Sequence, residues 1–166
     1  MGRRFLGLLR ERDLVVADHL RPLRDLRPDD LAAHVIREAV KRAPDLDVER
    51  IDEVVFGNAN GAGEENRNIA RMGTLLAGLP VSVPGTTVNR LCGSGIQAIL
   101  SGAHMILAGE ARLCLVGGME NMTQSPHVLW GARKGLRLGN AKLDDLLMVA
   151  LLDTWCGLYM AQTSNN

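Results

Sequence analysis

One cysteine of this sequence lies where a nucleophile would be effective. Cys92 falls between a predicted strand at residues 86–91 and a predicted helix that begins at Ser94. A thiol at the start of a helix faces the positive end of the helix dipole and unpaired backbone N–H groups, which favour the nucleophilic thiolate. The same N–H groups could stabilise an oxyanion, and Gly93 and Gly95 would allow a sharp turn and the approach of a bulky substrate. Position alone leaves an alternative equally open, a small buried residue beside a glycine turn.

The other reactive side chains give weaker indications. Cys114 lies inside an apolar strand and Cys156 in the apolar stretch LLDTWCGLYM, so we predict that both pack in the core. The three cysteines are odd in number and widely spaced, which fits neither a disulfide framework nor a Cys-x-x-Cys metal site. None of the four histidines has the spacing of a metal ligand or of a catalytic base. We therefore expect no metal site.

Charge and composition exclude several classes of partner. The chain has 19 basic and 19 acidic residues, and a net charge of zero argues against nucleic-acid binding, which requires a basic excess. No run approaches the roughly 18 apolar residues of a transmembrane helix, so we expect no membrane partner. The N-terminus lacks the apolar region and cleavage site of a signal peptide, which predicts a cytoplasmic protein. Arg133, Lys134 and Arg137 form a basic loop that could attract phosphates, although a solvated loop is the simpler interpretation.

Strand and helix patterns alternate along the chain. A helix is predicted after Pro28, capped by Asp29 or Asp30 and ended by Pro44, with Ile36 in one of its apolar stripes. The later predicted elements are a strand at 51–56, a helix at 66–79, a strand at 86–91, a helix at 94–108 and a strand at 112–116. In the helix at 94–108 we expect six residues to face the core: Ile96, Ile99, Leu100, Ala103, Ile106 and Leu107. This alternation predicts an α/β fold with a largely parallel sheet.

The residues around Cys92 resemble a known family. Residues 87–95 read TVNRLCGSG and precede a predicted helix, after which residues 116–126 read VGGMENMTQSP. Further matches are LRPDDL at 26–31, GEENRNIARM at 63–72 and AGLPVSVPG at 77–85. This pattern is similar to that of the thiolases. The resemblance implies a truncated N-terminal half of the thiolase fold, a layered αβαβα arrangement with a mostly parallel mixed sheet.

The resemblance also implies an organisation in three parts. Residues 1–21 form an irregular leader outside the family pattern, rich in Arg and Leu, whose composition would fit a shifted reading frame. Residues 22–126 correspond to the α/β domain that holds the nucleophile. Residues 127–166 correspond to the start of the loop region that covers coenzyme A. The charged residues of the segment GEENRNIAR are interpreted as a solvated helix start.

The family's chemistry gives specific roles to a few residues. Thiolases cleave 3-ketoacyl-CoA with free coenzyme A, or condense two acetyl-CoA molecules, and the cysteine of the NxxCGSG pattern carries the acyl group as a thioester. That role falls on Cys92. The residues that match the loop over the pantetheine are Leu151, Tyr159 and Met160, with Tyr159 where many members have His. The strand near Gly85 to Asn89 matches the family's dimer contact, so a homodimer is implied. Coenzyme A enters as a substrate, and no other cofactor is implied.

Several motifs of the family do not occur in the 166 residues. These are an NEAF-like motif, a GHP motif and a second Cys before a run of glycines. Because acyl transfer needs acid and base groups beside the nucleophile, we expect poor turnover. The leading hypothesis is an acyl-CoA acyltransferase of the thiolase class, with the choice between 3-oxoadipyl-CoA and fatty-acyl substrates left open. The alternatives are a non-catalytic remnant that binds coenzyme A or a thiolase subunit, and a redox-sensing thiol protein, for which no resolving cysteine lies near Cys92.

Overall fold

Helices and strands alternate from Pro28 to Gly118. A computed structural model describes residue 23, residues 25–65 and residues 67–165, and the predicted leader at 1–21 lies outside these residues. The main elements are α1 (Pro28–Lys41), β1 (Glu53–Gly57), α2 (Ile69–Leu76), β2 (Gly85–Val88), α3 (Ser94–Ala108) and β3 (Cys114–Gly118). Shorter elements follow: β4 (His127–Val128), β5 (Asp144–Asp145), α4 (Leu146–Ala150), β6 (Leu152–Asp153), β7 (Leu158–Tyr159) and α5 (Met160–Thr163).

The three longer strands form one parallel sheet in the order β2-β1-β3. In the central strand, Val55 lies in register with Thr86 of β2 and with Val116 of β3. This confirms the predicted α/β class with a parallel sheet. Among the described residues, antiparallel pairing is confined to the two-residue ladders β4-β5 and β6-β7. Because parallel strands end at the same edge, the loops after β1, β2 and β3 meet there.

Side chains of β1 alternate between two helical layers. Val54 and Phe56 face α1 and α2, where they join Ile36 and Ile69 in the buried core. The neighbouring positions face the opposite side of the sheet, where Gly57 lies against the first turn of α3. The described residues therefore form three layers, with α1 and α2 on one face of the sheet and α3 on the other.

The start of α1 differs from the expectation. Arg27 occupies the N-cap position and Pro28 the first helical turn, so neither Asp29 nor Asp30 caps the helix. Instead, the Asp29 carboxylate lies 2.8 Å from the Arg27 guanidinium, within the turn that the helix dipole makes favourable for an acidic residue. In the stripe through Ile36, Ala32 and Ile36 are buried as the sequence pattern indicated, whereas Val40 is only partly buried.

The prediction of which residues of α3 face the core is wrong. This helix buries only its small residues Ser94, Ala98 and Gly102 against the sheet. A Cβ on Gly102 would lie 2.6 Å from Cγ1 of Val116, so the helix runs too close to the strand for a large side chain to fit between them. Four large residues expected in the core are consequently exposed: Ile96, Ile99, Leu100 and Leu107.

The apolar character of α3 also bears on the expectation that the chain has no transmembrane helix. The 18-residue stretch Leu91–Ala108 is long and apolar enough, by length and composition, to cross a membrane. The sequence expectation considered only uninterrupted apolar runs and did not detect this stretch. In the fold, α3 packs along the sheet, where Gly102 contacts β3 and Ser94 contacts the end of β1. The packed small residues and the large exposed ones therefore make α3 a helix with two different faces.

Two further elements, α2 and the end of β2, are shorter than expected. α2 begins at Ile69 because the side chain of Asn68 accepts a hydrogen bond from the N–H of Arg71 and caps the helix. β2 ends at Val88, three residues before the predicted end at 91, and the chain then leaves the sheet. The residues just before Cys92 consequently form a turn rather than the last part of a strand.

The contact between β1 and α3 gives a first prediction. A Cβ on Gly57 would lie 2.4 Å from the carbonyl carbon of Ser94 and 2.6 Å from the nitrogen of Gly95, and backbone atoms cannot move aside cheaply. Gly57→Ala should lower the free energy of unfolding by about 1–3 kcal/mol, measured by denaturant titration. The matched control is Gly95→Ala, since no atom lies within 4 Å of that Cβ. A control variant that loses as much stability as Gly57→Ala would contradict this account.

Candidate active site

Cys92 is exposed in the turn that joins β2 to α3, at the edge of the sheet where its parallel strands end. The N–H groups of Gly93 and Ser94 donate to the carbonyls of Arg90 and Leu91, both at 3.0 Å. The buried Ser94 hydroxyl accepts from the Arg90 N–H at 2.9 Å and donates to the Leu91 carbonyl at 2.6 Å. One serine side chain therefore braces the turn from inside while the thiol of Cys92 stays open to solvent.

The sharp reversal before Cys92 occurs at an unexpected residue. Leu91 has φ +48° and is the only non-glycine in the left-handed region among the described residues. Such a conformation costs a bulky residue roughly 1–2 kcal/mol. Gly93 and Gly95 were expected to make the turn, but neither has a positive φ. The backbone strain of the site is therefore held at Leu91, next to Cys92.

The start of α3, which follows Cys92 in the chain, has backbone amides without a side-chain cap. The first hydrogen bond of the helix joins the Gln97 N–H to the Gly93 carbonyl at 2.9 Å. The N–H groups of Gly95 and Ile96 precede that bond, and no side chain caps this end. The space over Gly95 is open, as expected for the approach of a substrate. Cys92, open space and uncapped amides together form an arrangement that can accept an acyl group and its oxyanion.

The two other cysteines occupy different environments. Cys114 is half-buried on β3 beneath α3, and burial, with the Asp52 and Glu53 carboxylates, raises the pKa of its thiol. It packs against α3, but it is only partly buried, whereas full packing in the core was expected. Cys156 is exposed, so the prediction that it packs in the core is wrong. It lies between β6 and β7 beside Trp155, which is itself 95% exposed, because no described layer covers this hairpin.

The three predicted pantetheine contacts lie together in the β6-β7 hairpin region. The Met160 N–H donates to the Leu151 carbonyl at 3.1 Å, and Tyr159 pairs with Leu152 across the ladder. Leu151, Tyr159 and Met160 are each about two-fifths exposed, at 38%, 38% and 40%. Within the described ranges, no hydrogen bond or ion pair joins this hairpin to Cys92. Their role toward coenzyme A stays a prediction.

A buried polar network behind the Cys92 turn was not predicted. Glu65, expected in a solvated helix start, is only 1% exposed. Its carboxylate accepts from the Asn58 side chain and from the Asn121 N–H, both at 2.9 Å. The side-chain amide of Asn58 also donates to the Met119 carbonyl at 2.9 Å. The network joins the loop after β1 to the loop after β3, and its only sequence signal is that polar residues directly follow two neighbouring strands.

Burial dominates the electrostatics of this network. Loss of solvent raises the pKa of Glu65 above its ordinary value of 4.5, and the Glu120 carboxylate acts in the same direction. The hydrogen bonds from Asn58 and Asn121 act against this shift. The described residues include no group of three or more His, Cys, Asp or Glu side chains that could hold a metal ion.

Fold and site together define an α/β protein that presents a cysteine where a parallel strand passes into a helix. Residues 17–166 match the sequence profile of the thiolase N-terminal domain. The chain therefore belongs to the thiolase family, as the residues around Cys92 indicated. The match begins inside the segment 1–21 that was expected to lie outside the family pattern.

Similar proteins support the same assignment. The chain is 56% identical over 107 residues to the 3-oxoadipyl-CoA/3-oxo-5,6-dehydrosuberyl-CoA thiolase of Escherichia coli, covering 64% of this chain and 27% of that protein. It is 48% identical over 123 residues to the beta-ketoadipyl-CoA thiolase of Acinetobacter baylyi, covering 74% and 30%. The structure of human mitochondrial 3-ketoacyl-CoA thiolase with CoA superposes with a TM-score of 0.80 at 37% identity, covering 87% of this chain and 36% of that one. The chain thus spans about a third of the length of these relatives.

The raised pKa of Glu65 gives a second prediction. A buried carboxyl whose folded pKa is raised contributes most below its unfolded pKa, and this contribution is lost as the pH rises through the folded pKa. The difference in unfolding free energy between the native chain and Glu65→Gln should therefore shrink as the pH rises from about 4.5 toward 8. Denaturant titrations across this range measure that difference.

The matched control for this experiment is Asp52→Asn. The backbone N–H and the side chain of Arg112, together with the Leu113 N–H, donate to Asp52 and lower the pKa of its carboxyl below 3.8. The contribution of that carboxylate is therefore lost only at more acidic pH. The Asp52→Asn difference should stay flat between pH 5 and 8. A Glu65→Gln difference that is equally flat would show that Glu65 does not titrate in the range its burial implies.

Proposed function

We propose that this chain acts as the acyl-accepting part of a thiolase, an acyl-CoA acyltransferase in which Cys92 carries the acyl group. The observation that supports the proposal is the exposed Cys92 thiol at the uncapped start of α3. The Cys92 thiolate attacks the thioester carbonyl of acetyl-CoA, and the negative charge that develops on oxygen is stabilised by backbone N–H groups. Collapse of this intermediate breaks the bond to the coenzyme A sulfur, which leaves as a thiolate and takes up a proton. In the cleavage of a 3-ketoacyl-CoA the attack falls on the keto carbonyl at C3. Collapse then breaks the bond between C2 and C3, and the acetyl-CoA part leaves as its enolate and takes up a proton at C2.

The names of the similar proteins support a substrate class for this proposal. Two of them carry the names 3-oxoadipyl-CoA thiolase and beta-ketoadipyl-CoA thiolase, which supports CoA thioesters of 3-oxo acids as substrates. Coenzyme A is then a substrate, and we propose no further cofactor. Leu151, Tyr159 and Met160 form a part-exposed apolar group that suits the pantetheine arm. A cytoplasmic location suits the exposed free thiols of Cys92 and Cys156, since reducing compartments preserve them.

A second candidate is supported by the exposed face of α3. Ile96 is 68% exposed and Leu107 69%, on a helix whose opposite side is packed on the sheet. Monomers rarely leave contiguous apolar surface of this kind uncovered. The alternative is therefore a non-catalytic thiolase relative whose α3 face binds a thiolase subunit, or which binds coenzyme A without reacting.

A homodimer through β2 is also proposed. In the order β2-β1-β3 the strand β2 lies at an edge of the sheet, so its outer side is available for pairing with a second copy. This is the strand near Gly85 to Asn89 that the family pattern relates to dimer contacts. Its short length limits such a contact to a few backbone hydrogen bonds, so side-chain packing would have to supply the rest.

Acylation tests the catalytic proposal directly. After incubation with acetyl-CoA, intact-mass analysis and peptide mapping should show one acetyl group on Cys92 and none in Cys92→Ala. Cys156→Ala is the matched control because it removes another exposed thiol, and it should acylate normally. Thiolysis of acetoacetyl-CoA by the 166 residues alone should stay below about a thousandth of the rate of a full-length thiolase, since a cooperating catalytic set is incomplete. A folded sample without any Cys92 adduct would favour the non-catalytic alternative.

The dimer is tested at the edge strand. Thr86 is exposed on β2, and a lysine on an edge strand opposes strand pairing between copies. Thr86→Lys should shift the sedimentation coefficient from that of a dimer to that of a monomer. Val81→Lys is the control, since Val81 is 76% exposed but lies in the turn before β2. A dimer that persists in Thr86→Lys would place the interface elsewhere.

A further inference from the structure

We propose that Glu120 and Asn89 are positioning residues for Cys92, joined through the backbone of the loop after β1. The inference rests on the proposed function, in which Cys92 is the acyl acceptor. Neither residue touches the thiol by hydrogen bond, so each would act on the turn that carries it. The two side chains come from different loops, one after β3 and the other after β2, and they meet at the same stretch of backbone.

The first link is a carboxylate clamp. Glu120 Oε2 accepts from the Ala59 N–H at 2.9 Å, and Glu120 Oε1 accepts from the Asn60 N–H at 2.7 Å. The Asn58 side-chain amide approaches the same Oε1 at 3.4 Å. Both oxygens of one carboxylate thus hold consecutive amides, which fixes the orientation of the peptide between Ala59 and Asn60. Charge-assisted bonds of this kind are stronger than those between neutral groups.

The second link passes from this peptide to the nucleophile turn. The Ala59 carbonyl accepts from Nδ2 of Asn89 at 3.2 Å. The other side of the same amide group, Oδ1, accepts from the Leu91 N–H at 2.9 Å. Asn89 thereby connects the loop after β1 to the residue that immediately precedes Cys92.

The strain at Leu91 shows why such a connection matters. Leu91 has φ +48°, a conformation that a leucine keeps only where its surroundings hold it. Its carbonyl is also the acceptor for the N–H and hydroxyl of Ser94, so a relaxed Leu91 would change the geometry between Cys92 and the start of α3. The bond from Leu91 to Asn89 opposes this relaxation, and Glu120 holds the backbone to which Asn89 is attached. The three loops at the edge of the sheet therefore act together on one turn.

The test measures the reactivity of Cys92 without any acyl transfer. The 166-residue chain and its variants are treated with iodoacetamide. Peptide-resolved mass spectrometry then gives the alkylation rate of Cys92 divided by that of Cys156 in the same molecule. This ratio should fall by roughly 3- to 10-fold in Glu120→Gln and in Asn89→Ala. In Glu120→Gln one of the two clamped amides loses its acceptor while the shape is kept. In the double variant the ratio should fall no further than in Asn89→Ala alone, because Glu120 acts through Asn89.

A matched control separates positioning from general loosening. Asp52 also clamps two backbone amides, those of Arg112 at 2.7 Å and Leu113 at 3.2 Å, but it lies before β1 at the opposite edge of the sheet. Asp52→Asn should leave the Cys92 to Cys156 ratio unchanged. The proposal is overturned by an equal fall in this control, by an unchanged ratio in Glu120→Gln, or by a full additional effect of Glu120→Gln in the Asn89→Ala background.

The experiment still decides the proposal if one variant does not fold or if the chain does not acylate. If far-UV circular dichroism shows that Glu120→Gln is unfolded, Asn89→Ala against Asp52→Asn decides alone, since Asn89 is exposed and its loss should be tolerated. An unchanged ratio in Asn89→Ala then overturns the proposal. Because iodoacetamide needs neither coenzyme A nor a base on the protein, failure of acylation and failure of positioning remain distinguishable.

Discussion

The site depends on one close approach of two backbones, at the end of β1. Gly57 lies so near the first turn of α3 that a Cβ would come within 2.4 Å of Ser94. On the neighbouring strand, a Cβ on Gly118 would lie 2.8 Å from the Gly57 carbonyl oxygen. The end of β1 must therefore be free of a side chain for α3 to begin where it does, and the end of β3 must be free of one for the two strands to stay paired there. That placement brings the uncapped amides of α3 to the edge of the sheet, and Cys92 with them.

Neighbouring polar side chains hold the Cys92 turn in the position that the contact between β1 and α3 allows. Ser94 braces the turn from within, and Asn89 accepts from the Leu91 N–H, while Glu120 binds the Ala59 and Asn60 amides in the loop after β1. The buried carboxylate of Glu65 joins the same loops from behind, at the cost of a raised pKa. In the proposed function this turn carries the nucleophile, and a relaxed backbone at Leu91 would change the position of the thiol relative to the start of α3. Polar groups here serve to position, and the apolar core on the other face of the sheet gives them a rigid base.

The α/β architecture could be predicted from the sequence because this architecture depends on strand and helix patterns that repeat along the chain. Alternating strand and helix signals indicated the parallel sheet, and the letters around Cys92 indicated the family. The prediction of buried residues was wrong where the distance between a helix and the sheet decides which side chains fit between them. Large apolar residues on α3 suggested a buried face, yet Gly102 and Ala98 face the sheet because the helix lies too close for anything larger. The polar network was missed because Asn58 and Glu65, seven residues apart, meet Glu120 and Asn121 only through the fold, and the strain at Leu91 has no sequence signal.

The two different faces of α3 suggest how the proposed chemistry would fit within a larger protein. Its small residues fix the position of Cys92 relative to the sheet, while its large residues Ile96 and Leu107 remain exposed. Such a helix suits a middle layer, with one face used here and the other covered by further protein. The matched relatives are about three times as long as the part this chain covers. In the proposed function, these residues therefore supply a rigidly placed acyl acceptor, and the groups that move protons must approach it across the exposed face of α3 or above the Cys92 turn.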